Sequence, residues 1–139
     1  GRLDMDVEGV LLLTNDGELA NRLLHPRYAI EKVYRAWVWG EVQPPTLRKL
    51  AQGVKLKDGM TAPAKLRVLR TTENATLLRL TIHEGKKREV KRMLAAVRHP
   101  VKSLRRIAFA NLEATGLRPG EWRHLSEHEV ADLRRLAKM

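Results

Sequence analysis

The chain has 139 residues and a formal net charge of +11, from 27 Lys and Arg against 16 Asp and Glu. It contains no cysteine, which excludes disulfides and thiolate metal sites and fits a reducing cytosol; no apolar run approaches the ~20 residues of a membrane span. A composition of 43% hydrophobic and 31% charged residues reads as one globular domain, or one domain with an appendage, and not as a disordered tail.

The chain opens GRLDMDVEGVLLLTNDGEL, with Asp4, Asp6, Glu8, Asp16 and Glu18 beside one basic residue, Arg2. It starts without Met, directly before a strand-like segment, and is read as a piece whose upstream part is missing. The apolar run at 9–14 predicts a buried strand. Asn15 to Glu18 caps a helix to about Leu24 with Leu19, Leu23 and Leu24 on one face, and His25-Pro26 ends it. Residues 31–42 predict a long strand with Val33, Arg35, Trp37 and Trp39 on one face and Tyr34, Ala36 and Val38 on the other. Pro44-Pro45 opens a helix ending near Gly53, Asp58-Gly59 turns between short strands, and strands follow near 63–71 and 76–83. A helix at 87–97 ends at His99-Pro100. Residues 103–114 alternate as a strand, RPGEW turns into another short strand, and Ser126 with Glu129 forms a capping box for a last helix. Strands and helices mix without regular βαβ alternation, so the fold class is α+β.

The sequence pI of about 10.6 points to a polyanionic partner, and to nucleic acid before membrane, because no basic helix has a bulky apolar face. The densest basic stretch is 86–106, with Lys86, Lys87, Arg88, Lys91, Arg92, Arg98, Lys102, Arg105 and Arg106 against Glu89 alone. On a helix Arg88, Lys91 and Arg92 share one side, with Val90, Met93, Leu94 and Val97 on the other. This arrangement serves phosphate contact or a plain solvated face. Trp37 and Trp39 share a strand face. They form a stacking platform or, as the expectation for a strand between helices, core. Asp4, Asp6 and Glu8, at alternate positions, make either a divalent-metal set or one special carboxylate in a basic pocket. The five histidines form no HxxxH or HExxH pair, and there is no nucleophile elbow and no Walker loop. From the residues alone, the reading ends at a basic α+β domain that binds RNA or DNA.

GRLD followed by GVLLLTNDGELANRLLHP, then EKVYRAWVWGEV, EGKKREVKRMLAAVRHPVKSLRRIAFANL and LRPGEWRHL, resembles the RsuA-like (RsuA/RluB-type) bacterial ribosomal RNA pseudouridine synthases over essentially the whole chain. The resemblance implies a mixed, largely antiparallel sheet with flanking helices. It further implies that residues 1–139 are a pseudouridine synthase catalytic domain lacking its first part and any N-terminal RNA-binding domain. It implies isomerisation of a uridine in ribosomal RNA with no metal and no cofactor; a cytoplasmic location is expected, and a monomer is the default. The catalytic carboxylate falls on Asp4, the active-site tyrosine, which packs near the ring and is a candidate acceptor of the C5 proton, on Tyr34, and the partner cation on Lys91. Arg2 matches a residue that holds the target base out of the stack. Phosphate contacts are expected from Lys86, Lys87, Arg88, Arg92, Lys102, Arg105 and Arg106. Lys91 stands where many members carry Arg, which keeps the charge but loses the bidentate fork. REV stands where some members have HQV. This, the RPGEW ending and the last helix favour large-subunit RNA as substrate. The competing reading is a non-catalytic RNA-binding domain of a ribosome-associated protein. A lone acid facing a basic patch sets the two apart, because a pure binder gains nothing from repelling phosphate.

Overall fold

A computed structural model describes all 139 residues. In chain order the elements are β1 (Glu8–Gly9), α1 (Gly17–Leu24), a 3-10 turn (Pro26–Tyr28), β2 (Lys32–Trp39), α2 (Pro44–Gln52), β3 (Lys55–Leu56), β4 (Gly59–Met60), β5 (Lys65–Thr71), β6 (Ala75–Ile82), α3 (Glu89–Ala96), β7 (Val101–Phe109), β8 (Leu112–Glu113) and α4 (Glu127–Leu136). The main sheet runs β1-β7-β2-β6-β5, with β8 added to β7. Only the β1–β7 pairing is parallel. The mixed, largely antiparallel α+β architecture is the expected one.

Local chemistry sets the helix starts. Asp16 caps α1 by accepting the Leu19 N–H at 3.0 Å. Ser126 and Glu129 cap α4 reciprocally, at 3.1 and 2.8 Å. Proline opens α2, where a missing N–H costs nothing. One core cluster joins Ala36, Val38, Leu78 and Leu80 of the sheet to Leu50 of α2 and to Val90, Met93 and Leu94 of α3. A second joins Leu19 and Leu23 of α1 to Phe109, Leu112 and Leu133.

Four expectations fail, each for a tertiary reason. The run 9–14 is not a buried strand: pairing stops after Gly9 and the Val10 N–H. From there Val10 and Leu12 pack inward while Leu11 and Leu13 are 46% and 82% exposed. Strand β7 ends at Phe109, because Ala110 turns left-handed at φ 54°. An extra residue, Ile107, breaks its alternation so that Arg106, opposite Tyr34, and Ala108, opposite Val33, face opposite sides and are both buried. No strand follows RPGEW. Trp37 and Trp39 are not core. The helices cover only the Tyr34–Ala36–Val38 face of β2, and Trp39 is 43% exposed on the other.

Candidate active site

Asp4 lies in a turn ahead of β1, closed by the Val7 N–H donating to the Asp4 carbonyl at 2.9 Å. The turn brings two carboxylates to one ammonium. Lys91 Nζ, on α3, is 3.5 Å from Asp4 Oδ2 and 2.6 Å from Asp6 Oδ1. The three differ in access: side-chain exposure is 15% for Lys91, 38% for Asp4 and 75% for Asp6. The hydrogen bond from Lys91 holds the Asp6 carboxyl below its ordinary range. The ammonium stands where Asp4 and Asp6 converge, which is the place a divalent ion would need. Nowhere do three His, Asp or Glu side chains gather at metal-ligating distance.

Tyr34 is half-buried against the first core cluster. Burial raises its phenol above the ordinary value; the neighbouring Arg106 guanidinium pulls the other way, and the charges of Glu89 and Asp4 add to the rise. Arg106 corrects an expectation. It was placed in the RNA-facing patch, but it is only 5% exposed. Its Nε and Nη2 both donate to the Val10 carbonyl, at 3.0 and 2.8 Å, with the guanidinium 5.2 Å from the Phe109 ring centroid. The Val10 N–H in turn donates to the Arg106 carbonyl at 3.0 Å. One residue thus fastens the acidic segment to β7 from both its side chain and its backbone.

The sequence matches the family described as RNA pseudouridylate synthase over residues 1–96. The chain belongs to that family. It is 51% identical over 133 residues to an uncharacterized RNA pseudouridine synthase of Aquifex aeolicus (strain VF5), covering 96% of this chain and 53% of the relative. It is 49% identical over 139 residues to the ribosomal large subunit pseudouridine synthase B of Bacillus subtilis (strain 168), covering 99% and 57%. A crystal structure of a pseudouridylate synthase superposes with a TM-score of 0.89 at 34% identity, covering 96% of this chain and 57% of that one. The chain spans about half the length of these curated relatives.

Within this synthase-family fold the remaining expected cations divide. Lys86 donates to the Met60 carbonyl at 3.0 Å, and Arg92 makes a bidentate pair with Asp58 at 2.8 and 3.2 Å. Both tie the start of α3 to the β3–β4 hairpin through hydrogen bonds at the surface. Arg2, Lys87 and Arg88 are exposed. An open groove of about 410 Å³ runs beside Asp6, Arg88, Lys91, Lys102, Ser103 and Leu104. Arg105 is exposed on the sheet face that carries Trp37, away from α3.

Two features escaped the sequence. Asp6 is the nearer partner of Lys91, although spacing did place it on the same side as Asp4. Glu89, at the first position of α3, is only 4% exposed. Its Oε1 accepts the Lys86 N–H at 3.1 Å, while Oε2 meets no donor. The neighbouring group is the Glu84 carboxyl, itself accepting the Ala62 N–H at 2.8 Å. Two acceptors face each other, so the pair is satisfied only when one holds a proton. Burial first, and Glu84 in addition, push Glu89 up to about 7.

The sign of the stability effect follows. Below about pH 4.5, the ordinary value, Glu89 is protonated folded and unfolded, and costs nothing. Between there and about 7 the folded state holds a proton the unfolded state has lost, so stability falls as pH rises. Glu89→Gln should therefore stabilise the protein by about 1–2 kcal/mol at pH 8, once screening by water is counted. That is about 4–8 °C in Tm, and the gain should vanish near pH 4.5. Equal melting temperatures at pH 8 would remove Glu89 as the titrating group.

The contacts of Lys91 lead to a second expected result. If Asp6 only shares the ammonium, Asp6→Asn frees Lys91 for Asp4, and turnover should stay within about 3-fold of the parent, since no transition-state interaction is lost. A loss as deep as that of an Asp4 variant would transfer the chemistry to Asp6.

Proposed function

We propose that this site isomerises one uridine of ribosomal RNA to pseudouridine, in the cytoplasm and as a monomer, with large-subunit RNA as the favoured substrate. The observation that carries the reading is the Asp4–Lys91 pair. The aspartate of the GRLD motif stands 38% exposed beside a single ammonium at 3.5 Å, and that ammonium lines a basic groove. An anion there repels phosphate and has no use in binding alone. The similarity to the Bacillus subtilis large-subunit synthase supports the choice of subunit.

The reaction breaks the bond from N1 to C1′, turns the detached ring, and joins C5 to C1′; C5 then gives up its proton and N1 ends protonated. Asp4 has three routes: attack on C1′, attack on C6 of the ring, or removal of a C2′ proton. All three need an ionised carboxylate, and the Lys91 charge favours that form and orients it. The target base has to leave its stack, which costs a few kcal/mol. Arg2, which the family resemblance assigns to holding the base out, and Arg88, which lines the groove, are both exposed and would offset this through phosphate and base contacts. Tyr34, half-buried with its phenol raised by burial, packs near the target ring and is the candidate acceptor of the C5 proton.

The test is release of tritium from C5-labelled uridine in ribosomal RNA by the protein carrying this chain, with the two subunit RNAs assayed separately. Release from large-subunit RNA at one site is expected. Release from small-subunit RNA alone would correct the substrate, and binding of either RNA without release would leave a binding domain.

A further inference from the structure

The main sheet has two faces, and the helices cover one. Directly opposed residues on neighbouring strands point to the same side. On the uncovered side, Arg67 of β5 opposes Arg79 of β6, Arg79 opposes Arg35 of β2, and Arg35 opposes Arg105 of β7. Four arginines therefore cross four adjacent strands in one row. At about 4.8 Å per strand the row is roughly 15 Å long. All four are exposed, and none makes an ion pair.

Like charges directly opposite one another destabilise a sheet, so three such contacts in succession work against folding. Their neighbours offer little relief. Glu8, level with Arg105 across the β1 pairing, lies at the row's end. Lys65 on the same face already takes Glu31, at 3.3 Å. One and two steps along β2 lie Trp37 and Trp39, with the Lys102 ammonium 4.8 Å from the Trp39 ring centroid. This is a flat, uncovered surface of unpaired guanidinium groups bordered by an exposed aromatic. Arginine and aromatic planes together suit an unpaired nucleic-acid strand, whereas a membrane surface would ask for bulky aliphatic side chains that this row lacks. The face also joins the groove beside Lys91 around the β7 edge, since Lys102 lines that groove.

We propose that the uncovered sheet face is a second RNA-binding surface. It takes the phosphates of a single-stranded segment on the Arg67–Arg79–Arg35–Arg105 row and a base against Trp39. This surface is on the other side of the sheet from α3, meets the groove beside Lys91 only at Lys102, and takes no part in the chemistry at Asp4.

The test is binding of the chain to a fluorescent single-stranded uridine 20-mer between 50 and 200 mM salt. For single strands each lost phosphate contact lowers the salt slope by about 0.7. Arg35→Gln/Arg79→Gln should lower it by about 1.4, so the unsubstituted chain loses about 7-fold more affinity over that range than the variant. Arg35→Lys/Arg79→Lys should keep the slope. Trp39→Ala should weaken binding at least about 5-fold with the slope unchanged, because stacking releases no counterions. Arg48→Gln/Lys49→Gln on α2 removes the same charge from the opposite side and should leave the slope within about 0.3 of the parent. Asp4→Asn should bind as tightly as the parent or slightly more so, and Arg35→Gln/Arg79→Gln should lower the slope equally in that background, so loss of catalysis and loss of this surface are read separately. A slope that Arg35→Gln/Arg79→Gln leaves unchanged, or an equal drop in the α2 variant, would overturn the proposal. Equal affinity for a duplex of the same length, or for a glutamate 20-mer that depends on the same arginines, would overturn it too.

Discussion

Asp4→Asn in the protein carrying this chain should reduce uridine isomerisation by about 10³-fold or more and leave RNA affinity equal or slightly higher. Asn is nearly isosteric, and the turn at Asp4 is closed through its backbone carbonyl, so the fold survives. The amide can act neither as an anionic nucleophile nor as a base, and positioned groups of that kind account for about 10²–10⁴ in rate. Removing a negative charge near the phosphate path favours binding. Lys91→Met should fall less far, by about 10², because it removes an orienting charge and leaves the reacting group in place. Turnover by the Asn variant within tenfold of the parent would sink the assignment of Asp4 and return the protein to a binding role. The two variants, read with Asp6→Asn, separate the carboxylate that reacts from the one that shares its cation.

Gly9→Ala should cost about 10²-fold in activity while lowering Tm by only a few degrees. A Cβ at Gly9 would come 2.4 Å from the Arg106 carbonyl oxygen and 2.8 Å from its Cβ, at a φ of 150°. Real Cβ atoms do not approach that closely, so β1 has to part from β7. The main sheet keeps its β7, β2, β6 and β5 pairings, because β1 contributes two residues at the edge. Asp4 and Asp6 move with β1, however, and a displacement of about 1 Å in a catalytic group is enough for a 10²-fold loss. Full activity in the alanine variant would mean that Asp4 is held by something other than this strand. Collapse of the whole fold would mean that the sheet depends on it.

Local signals were legible in the sequence wherever the physics is local. Asp16, Ser126 with Glu129, and the Pro44-Pro45 start each satisfy or avoid an orphan N–H within a few residues, and all three helices begin where these signals put them. The face of β2 was a different matter. Val33, Arg35, Trp37 and Trp39 look weightier than Tyr34, Ala36 and Val38. Yet the first core cluster forms on the second set, and alternation alone does not say which side is covered. The divided fate of residues 86–106 has the same origin. Linear charge density merges Arg92, Arg105 and Arg106, whereas the fold sends the first to Asp58, the second to the open sheet face and the third into the core. The Arg67–Arg79–Arg35–Arg105 row exists only once register is known, and register is a long-range property.

The double fastening of Val10 by Arg106 bears on how this protein comes apart. The acidic segment is attached by a two-residue parallel strand, one buried guanidinium, the inward packing of Val10 and Leu12 and the Lys91 contacts to Asp4 and Asp6, whereas β2 holds eight paired residues against β6. With so little strand pairing, the segment is expected to open locally ahead of the sheet. A thermal melt reports the sheet and is silent about the first ten residues. Two preparations with the same melting curve can accordingly differ in the fraction of molecules whose Asp4 carboxylate is docked beside Lys91.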